Sequence, residues 1–186
     1  FDASGGGDHR QALDLRRELC DPVNEGNDLR WLSGLLMPMG ECADAWRYGQ
    51  EALLTLDTLP PCRELAWAHL NLCQLSAYDQ RGTRSAEEHA QRAIAIAEQI
   101  NCPEVSWQAH FHLAAAKYVC GDAQDRAWAD MERARSGARQ AGLVDTASFL
   151  TMQAAWLAAP QRDDLRVAAM VDELEAEVED REVFGF

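Results

Sequence analysis

Histidines, cysteines and carboxylates are the groups in this chain whose types could carry chemistry, and their spacing decides what they can do. His110 and His112 stand two apart in helix-forming text, so they point to different faces. His69 and His110 are 41 apart. A metal site needs ligands converging on one point, with a carboxylate or thiolate near them. If the 41-residue separation is one structural repeat, the two imidazoles sit about 10 Å apart, a helix-packing distance. They then read as packing or turn-bridging residues and not as ligands of one ion. Cys120 lies eight residues after His112, and a Cys–His nucleophile would need an adjacency that spacing alone does not supply. The six cysteines, Cys20, Cys42, Cys62, Cys73, Cys102 and Cys120, form no CxxC pair. Most sit in Ala- and Leu-rich text, where cysteine behaves as a small apolar residue, a usage that fits a reducing cytosol. Glu87 and Glu88 fall at the start of an expected helix, where the helix dipole favours negative charge. No GxxxxGK[ST] or GxGxxG run is present, so no phosphate-binding loop is expected. No catalytic residue, metal ligand or cofactor is assigned.

The composition narrows the partners. Seventeen basic residues against 31 acidic ones give a net charge of −14. Binding to phosphate backbones depends on Lys and Arg, so direct nucleic-acid contact is not expected. An anionic membrane surface would repel the chain as well. No apolar run reaches 18 residues and no secretion signal opens the sequence, so a cytoplasmic location is expected. The acidic stretch from Asp172 to Glu182 reads as a solvated helix face. Ser4-Gly5-Gly6-Gly7 reads as a flexible terminus over 1–8, and the start at Phe1 reads as a cut from something longer.

The elements that position these groups are helices. Ala, Leu, Glu, Gln and Arg dominate, alternating β-branched runs are absent, and Gly or Pro recurs at short intervals. Treating Asp21-Pro22, Gly26, Gly40, Pro60-Pro61, Gly82, Pro103, Gly121, Gly142 and Pro160 as breakers predicts helices near 9–20, 27–38, 42–57, 63–80, 84–100, 104–119, 123–141, 145–159 and 162–181. Ser85 and Glu88 have capping-box spacing. The text also repeats. Ala45, Ala86 and Ala127 step by 41 (86 − 45 and 127 − 86), and a further step from Ala127 reaches Ala168 (168 − 127); Ala52, Ala93 and Ala134 keep the same step (93 − 52 and 134 − 93). Within a helix these alanines are two turns apart and share a face. They are expected to be the small inter-helix positions that let a hairpin close.

Residues 109–142 and 68–100 resemble tetratricopeptide repeats. They carry a Leu-small pair (Leu113-Ala114, Leu72-Cys73), a Gly turn (Gly121-Asp122, Gly82) and helix alanines (Ala127 and Ala134, Ala86 and Ala93). Residues 27–57 and 145–181 resemble them more weakly, through Trp31-Leu32 and through Ala154-Ala155 and Ala168. A 41-residue step exceeds the usual 34 and is similar to the sensor arrays of large bacterial LuxR-type activators, the maltose-regulon activator among them. The resemblance implies an all-α fold, a right-handed superhelical stack of about four antiparallel helix pairs over 27–181. Segment 9–22 would be a helix from a truncated preceding repeat, and 182–186 a tail. It implies a non-catalytic module for transcription regulation or signal transduction that binds a protein, a peptide or a small-molecule effector. A cytosolic scaffold that gathers partner proteins is the alternative, and an enzyme with an unrecognised site the lesser one. Exposed ends of such an array can pair into a dimer.

In arrays of this kind the first helix of each pair lines the concave side. Mapped from the Leu-small pairs, that side would present Trp67, Leu70 and Gln74, then Gln108, Phe111, Ala115 and Tyr118, then Phe149, Met152 and Trp156. The rings either anchor a ligand there or fill space between helices.

Overall fold

The computed structural model describes residues 13, 15–78 and 83–184. Among them there is no strand; the chain is all-helical. The helices are α1 (Pro22–Leu36), α2 (Cys42–Leu56), α3 (Arg63–Tyr78), α4 (Thr83–Gln99), α5 (Pro103–Val119), α6 (Gln124–Gln140), α7 (Val144–Ala158) and α8 (Asp164–Phe184), with a 3-10 turn at Ala159–Gln161. Residues 15–18 form one helical turn ahead of α1, and Leu13 packs on Leu29, Leu32 and Ala52. The expected flexible segment 1–8 lies outside the described residues. The expected tail is helical as far as Phe184.

The helices pack as consecutive hairpins, α1 with α2, α3 with α4, α5 with α6 and α7 with α8. Each hairpin leans on the next, and α3 packs on α1 and α5, as α7 does on α5. Stacking of this kind buries apolar faces that a lone hairpin would leave wet. The first helices start at 22, 63, 103 and 144, steps of 41, 40 and 41; the second start at 42, 83, 124 and 164, steps of 41, 41 and 40. The core keeps the same interval: Leu70, Cys73 and Ala77 in one cluster correspond at +41 to Phe111, Ala114 and Tyr118 in the next. Ala45, Ala52, Ala86, Ala93, Ala127 and Ala134 are all buried between helices.

Three local expectations are corrected. Asp21-Pro22 does separate two helical segments, but the second begins at Pro22 and not near 27. Pro22 occupies the first turn, where its missing N–H costs nothing, and the Asp21 carboxylate accepts from the Asn24 amide at 3.3 Å. Gly26 is then interior to α1, because a Cβ there would lie 2.4 Å from Leu56 Cγ. Ser85 is not a cap: α4 begins at Thr83, the Ser85 hydroxyl accepts from Ser76 Oγ at 3.1 Å, and Glu88 pairs with Arg84. Ala168 is exposed. The 3-10 turn and left-handed Arg162 (φ 56°) reset α8, so that its buried Met170 stands 39 residues after the buried Met131 (170 − 131) and not 41. Two residues at about 100° each carry Ala168 to the solvent side.

Gly40 and Gly121 close their hairpins at φ 82° and 79°, a left-handed conformation that lets the next amide reach back to the helix: Glu41 N–H to Leu36 O, and Asp122 N–H to Lys117 O. The last two repeats are tied by Arg135, whose guanidinium is almost fully buried. It donates to Thr151 Oγ1 at 3.1 Å, Glu132 Oε1 at 2.6 Å and Glu173 Oε2 at 2.6 Å, joining α6, α7 and α8.

Candidate functional site

The C-terminal halves of three first helices leave a concavity of about 790 Å³ between them. Gly34 comes from α1, with Met37, Pro38 and Gly40 just after it. Asn71, Gln74 and Leu75 come from α3, and Met152, Gln153, Ala155 and Trp156 from α7, with Ala159 beyond. Asn71 stands three and four residues before Gln74 and Leu75, and Met152 three and four before Ala155 and Trp156, the spacing that sets side chains on one face. Helices α1 and α7 are not a packed pair; α3 and α5 stand between them in the stack. The pocket therefore bridges the first and last repeats.

Local sequence explains its shape. Gly34 lacks a side chain, and a Cβ placed there would meet only Asn71 Oδ1, at 3.7 Å. Behind it, Gly49 lets α2 come close, since its Cβ would lie 3.0 Å from Ser33 Oγ and 3.1 Å from Asn71 Nδ2. Asn71 Nδ2 donates to Ser33 Oγ at 2.7 Å, and Ser33 Oγ donates to Ala45 O at 2.7 Å. The serine's one proton is spent on Ala45, so Asn71 must offer its NH2 to Ser33, and its Oδ1 faces Gly34. Trp156 is 63% exposed and Met152 51%. None of the lining residues is charged.

Of the residues expected on the concave side, Gln74, Met152 and Trp156 meet in this pocket. Phe149 shares their face of α7 and is partly exposed, but lies outside the lining. Trp67 is half-buried against the α3–α4 core, with the Arg30 guanidinium 5.5 Å from its ring. The groove-facing expectation fails for Leu70, Gln108, Phe111 and Tyr118, which are buried, as is Ala115. Helices α3 and α5 have a repeat packed on either side, and their neighbours cover those positions; Phe111 and Tyr118 pack with Trp128, Met131 and Leu150. Helix α7 packs on α5 but has no later first helix among the described residues, and its face stays open. Gly34, Met37, Pro38, Asn71 and Gln153 were not expected in a site. Asn71 sits one turn before Gln74, and that spacing was the available signal.

Elsewhere the reactive groups are held quiet. His69 and His89 bring Nδ1 atoms to 3.2 Å, so one ring donates and the other accepts. Burial first, then His89, pushes the His69 pKa down to about 4. His69 borders a second cavity of about 510 Å³ that also touches Asp57, Arg92 and Gln99. His110, expected to match His69, is exposed beside Trp107, with ring centroids 6.2 Å apart. Burial also pushes His112 down to about 4 and the Cys73 thiol up to about 12. His112 is enclosed while Cys120 is exposed, so the two do not form a nucleophile pair. Arg30 is lowered to about 10 by burial and stacks 4.4 Å from the Trp31 ring. Among the described residues, no three His, Cys, Asp or Glu side chains gather as a metal site, and no helix is long and apolar enough to cross a membrane. No protein-family model matches this chain, and no curated protein matches it.

Proposed function

We propose that this chain is a non-catalytic binding module whose working surface is the pocket between α1, α3 and α7. The observation that carries this reading is the composition and size of that pocket. It is concave, mostly apolar, lined by methionine and indole, and supplied with a few neutral amides, the pattern of a ligand site. The reactive side chains offer it no competitor: the histidines with lowered pKa values lie in helix contacts away from the pocket, and the Cys73 thiol is buried.

The module's setting follows from its repeat. A step near 41 residues supports a regulatory or sensor role within a larger bacterial transcriptional regulator, acting in the cytoplasm, because that length is similar to the arrays of such regulators. Ligand or partner binding would bias the array and so the activity of attached domains. The test is a thermal-shift screen of the 186-residue chain against small-molecule and peptide panels. A ligand present at 100 times its Kd stabilises by about 2.7 kcal/mol, and Trp156→Ala should abolish the shift it causes. A shift that survives Trp156→Ala would move the site elsewhere. The coding sequence on either side tests the setting: it should encode a helix-turn-helix or nucleotide-binding domain.

A further inference from the structure

The pocket is selective about charge. The chain carries 48 charged residues, 17 basic and 31 acidic (17 + 31 = 48), yet its concave centre shows none of them. An anion would lose hydration there and gain no cation; a cation would find no carboxylate. Sulfur, indole and aliphatic carbon make up most of the wall. Methionine adapts to irregular apolar shapes, and an exposed indole offers a flat stacking face. The volume of about 790 Å³ is that of a site for a drug-sized molecule and lies well within the usual ~300–1,000 Å³. A hydrogen-bond acceptor is fixed at one edge, because the Ser33 relay to Ala45 locks Asn71 with Oδ1 toward Gly34.

Building on the binding-module reading above, we propose that the pocket takes an uncharged, largely apolar small molecule with a flat body and one hydrogen-bond donor. The body lies between Trp156 and the Met37 and Met152 side chains, and the donor meets Asn71 Oδ1. The molecule would bridge α1 to α7, which are not packed on each other, so occupancy would tie the first repeat to the last.

N-phenyl-1-naphthylamine is a suitable probe: neutral, flat, with one N–H, and bright only in apolar surroundings. 1-Anilinonaphthalene-8-sulfonate is the same body with a sulfonate added. Titrated into the 186-residue chain, the neutral probe should saturate at one site and bind at least tenfold more tightly than the sulfonate. Gly34→Leu should weaken the neutral probe tenfold or more by filling the cavity, with helix content and Tm retained, since a Cβ at Gly34 meets no clash. Trp156→Ala should weaken it similarly, and Trp31→Ala, an exposed indole outside the lining, should leave it unchanged. Equal or tighter binding of the sulfonate, or binding that ignores Gly34→Leu, overturns the proposal. A labelled Leu/Met-rich dodecapeptide that binds where the neutral probe does not, and is lost in Gly34→Leu, overturns the small-molecule class and leaves the binding module standing. Failure of both dyes and the peptide overturns both readings.

Discussion

Two glycines on one helix should respond to alanine with opposite signs. Gly26 and Gly34 both lie inside α1, where replacing glycine by alanine gains about 0.5–1 kcal/mol from backbone entropy alone. At Gly34 the new methyl meets only Asn71 Oδ1 at 3.7 Å, an ordinary contact. The full gain should appear, and for a chain of this size roughly 2–4 °C accompany each kcal/mol, so Gly34→Ala should melt about 1–4 °C higher. At Gly26 the methyl would lie 2.4 Å from Leu56 Cγ and 2.8 Å from both of its methyls. Leu56 cannot swing clear, because it is fully buried against Leu65 and Ala68. Overpacking of this kind costs about 1–3 kcal/mol, and subtracting the helix gain leaves a net loss of about 0.5–2 kcal/mol, a fall of several degrees. Urea and thermal unfolding followed by circular dichroism measure both. In a Leu56→Ala background the clash partner is gone, and Gly26→Ala should become neutral or stabilising, a coupling that a double-mutant cycle isolates. If Gly26→Ala instead melts above the parent, Gly26 does not face Leu56, and the reasoning that places α1 from Pro22 is wrong.

Three further perturbations probe the stack. Ala93 is fully buried in the α3–α4 core, and Ala93→Leu should destabilise by about 1–3 kcal/mol through overpacking; a variant with the parent's Tm would count against the helix contacts. Arg135→Ala should cost about 1.5–3 kcal/mol, because it removes a buried guanidinium that bonds Thr151 and Glu173, while Arg139 still pairs with Glu173 from α6; hydrogen exchange should show α8 opening first, and unchanged protection there would refute the linkage. His112 is neutral in the fold, its pKa pushed to about 4 by burial, and titrates near 6.5 when unfolded. Between those values the unfolded chain holds the extra proton, so the stability is complete above pH 6.5 and is lost as pH falls toward 4. By linkage the loss approaches about 3 kcal/mol. His112→Leu should flatten that part of the Tm–pH curve, and a parallel curve would show that His112 is solvated.

Helix content and the repeat were legible because they rest on short-range rules. Alanines spaced by 41 must meet the same environment in each hairpin, and six of the seven do. What the sequence hid was set by contacts between distant segments. Gly26 reads as a breaker until Leu56, thirty residues on (56 − 26 = 30), is known to need its space. Pro22 reads as a stop until the Asp21 cap shows it to be a start. Ala168 follows the repeat in spacing, but the 3-10 turn after α7 rotates it away. Such a turn changes register without changing composition.

The concave site was legible only where the stack ends, and the reason is physical. A first helix inside the array, such as α5, packs on α3, α4, α6 and α7. Its Gln108, Phe111, Ala115 and Tyr118 are consumed by those neighbours, whatever their chemistry would have suited. On α7 no later first helix among the described residues takes that role, so Met152 and Trp156 keep their exposure and aim across the groove. Their counterpart on α1 is an absence of side chain at Gly34, which a search for large anchoring residues passes over. Concavity comes from one helix supplying bulk and the opposite helix withholding it, with Asn71 held between them by a hydrogen bond to Ser33. A pocket made in this way belongs to the stack as a whole. Any change that alters how α3 and α5 space α1 from α7 should therefore alter binding without touching a lining residue.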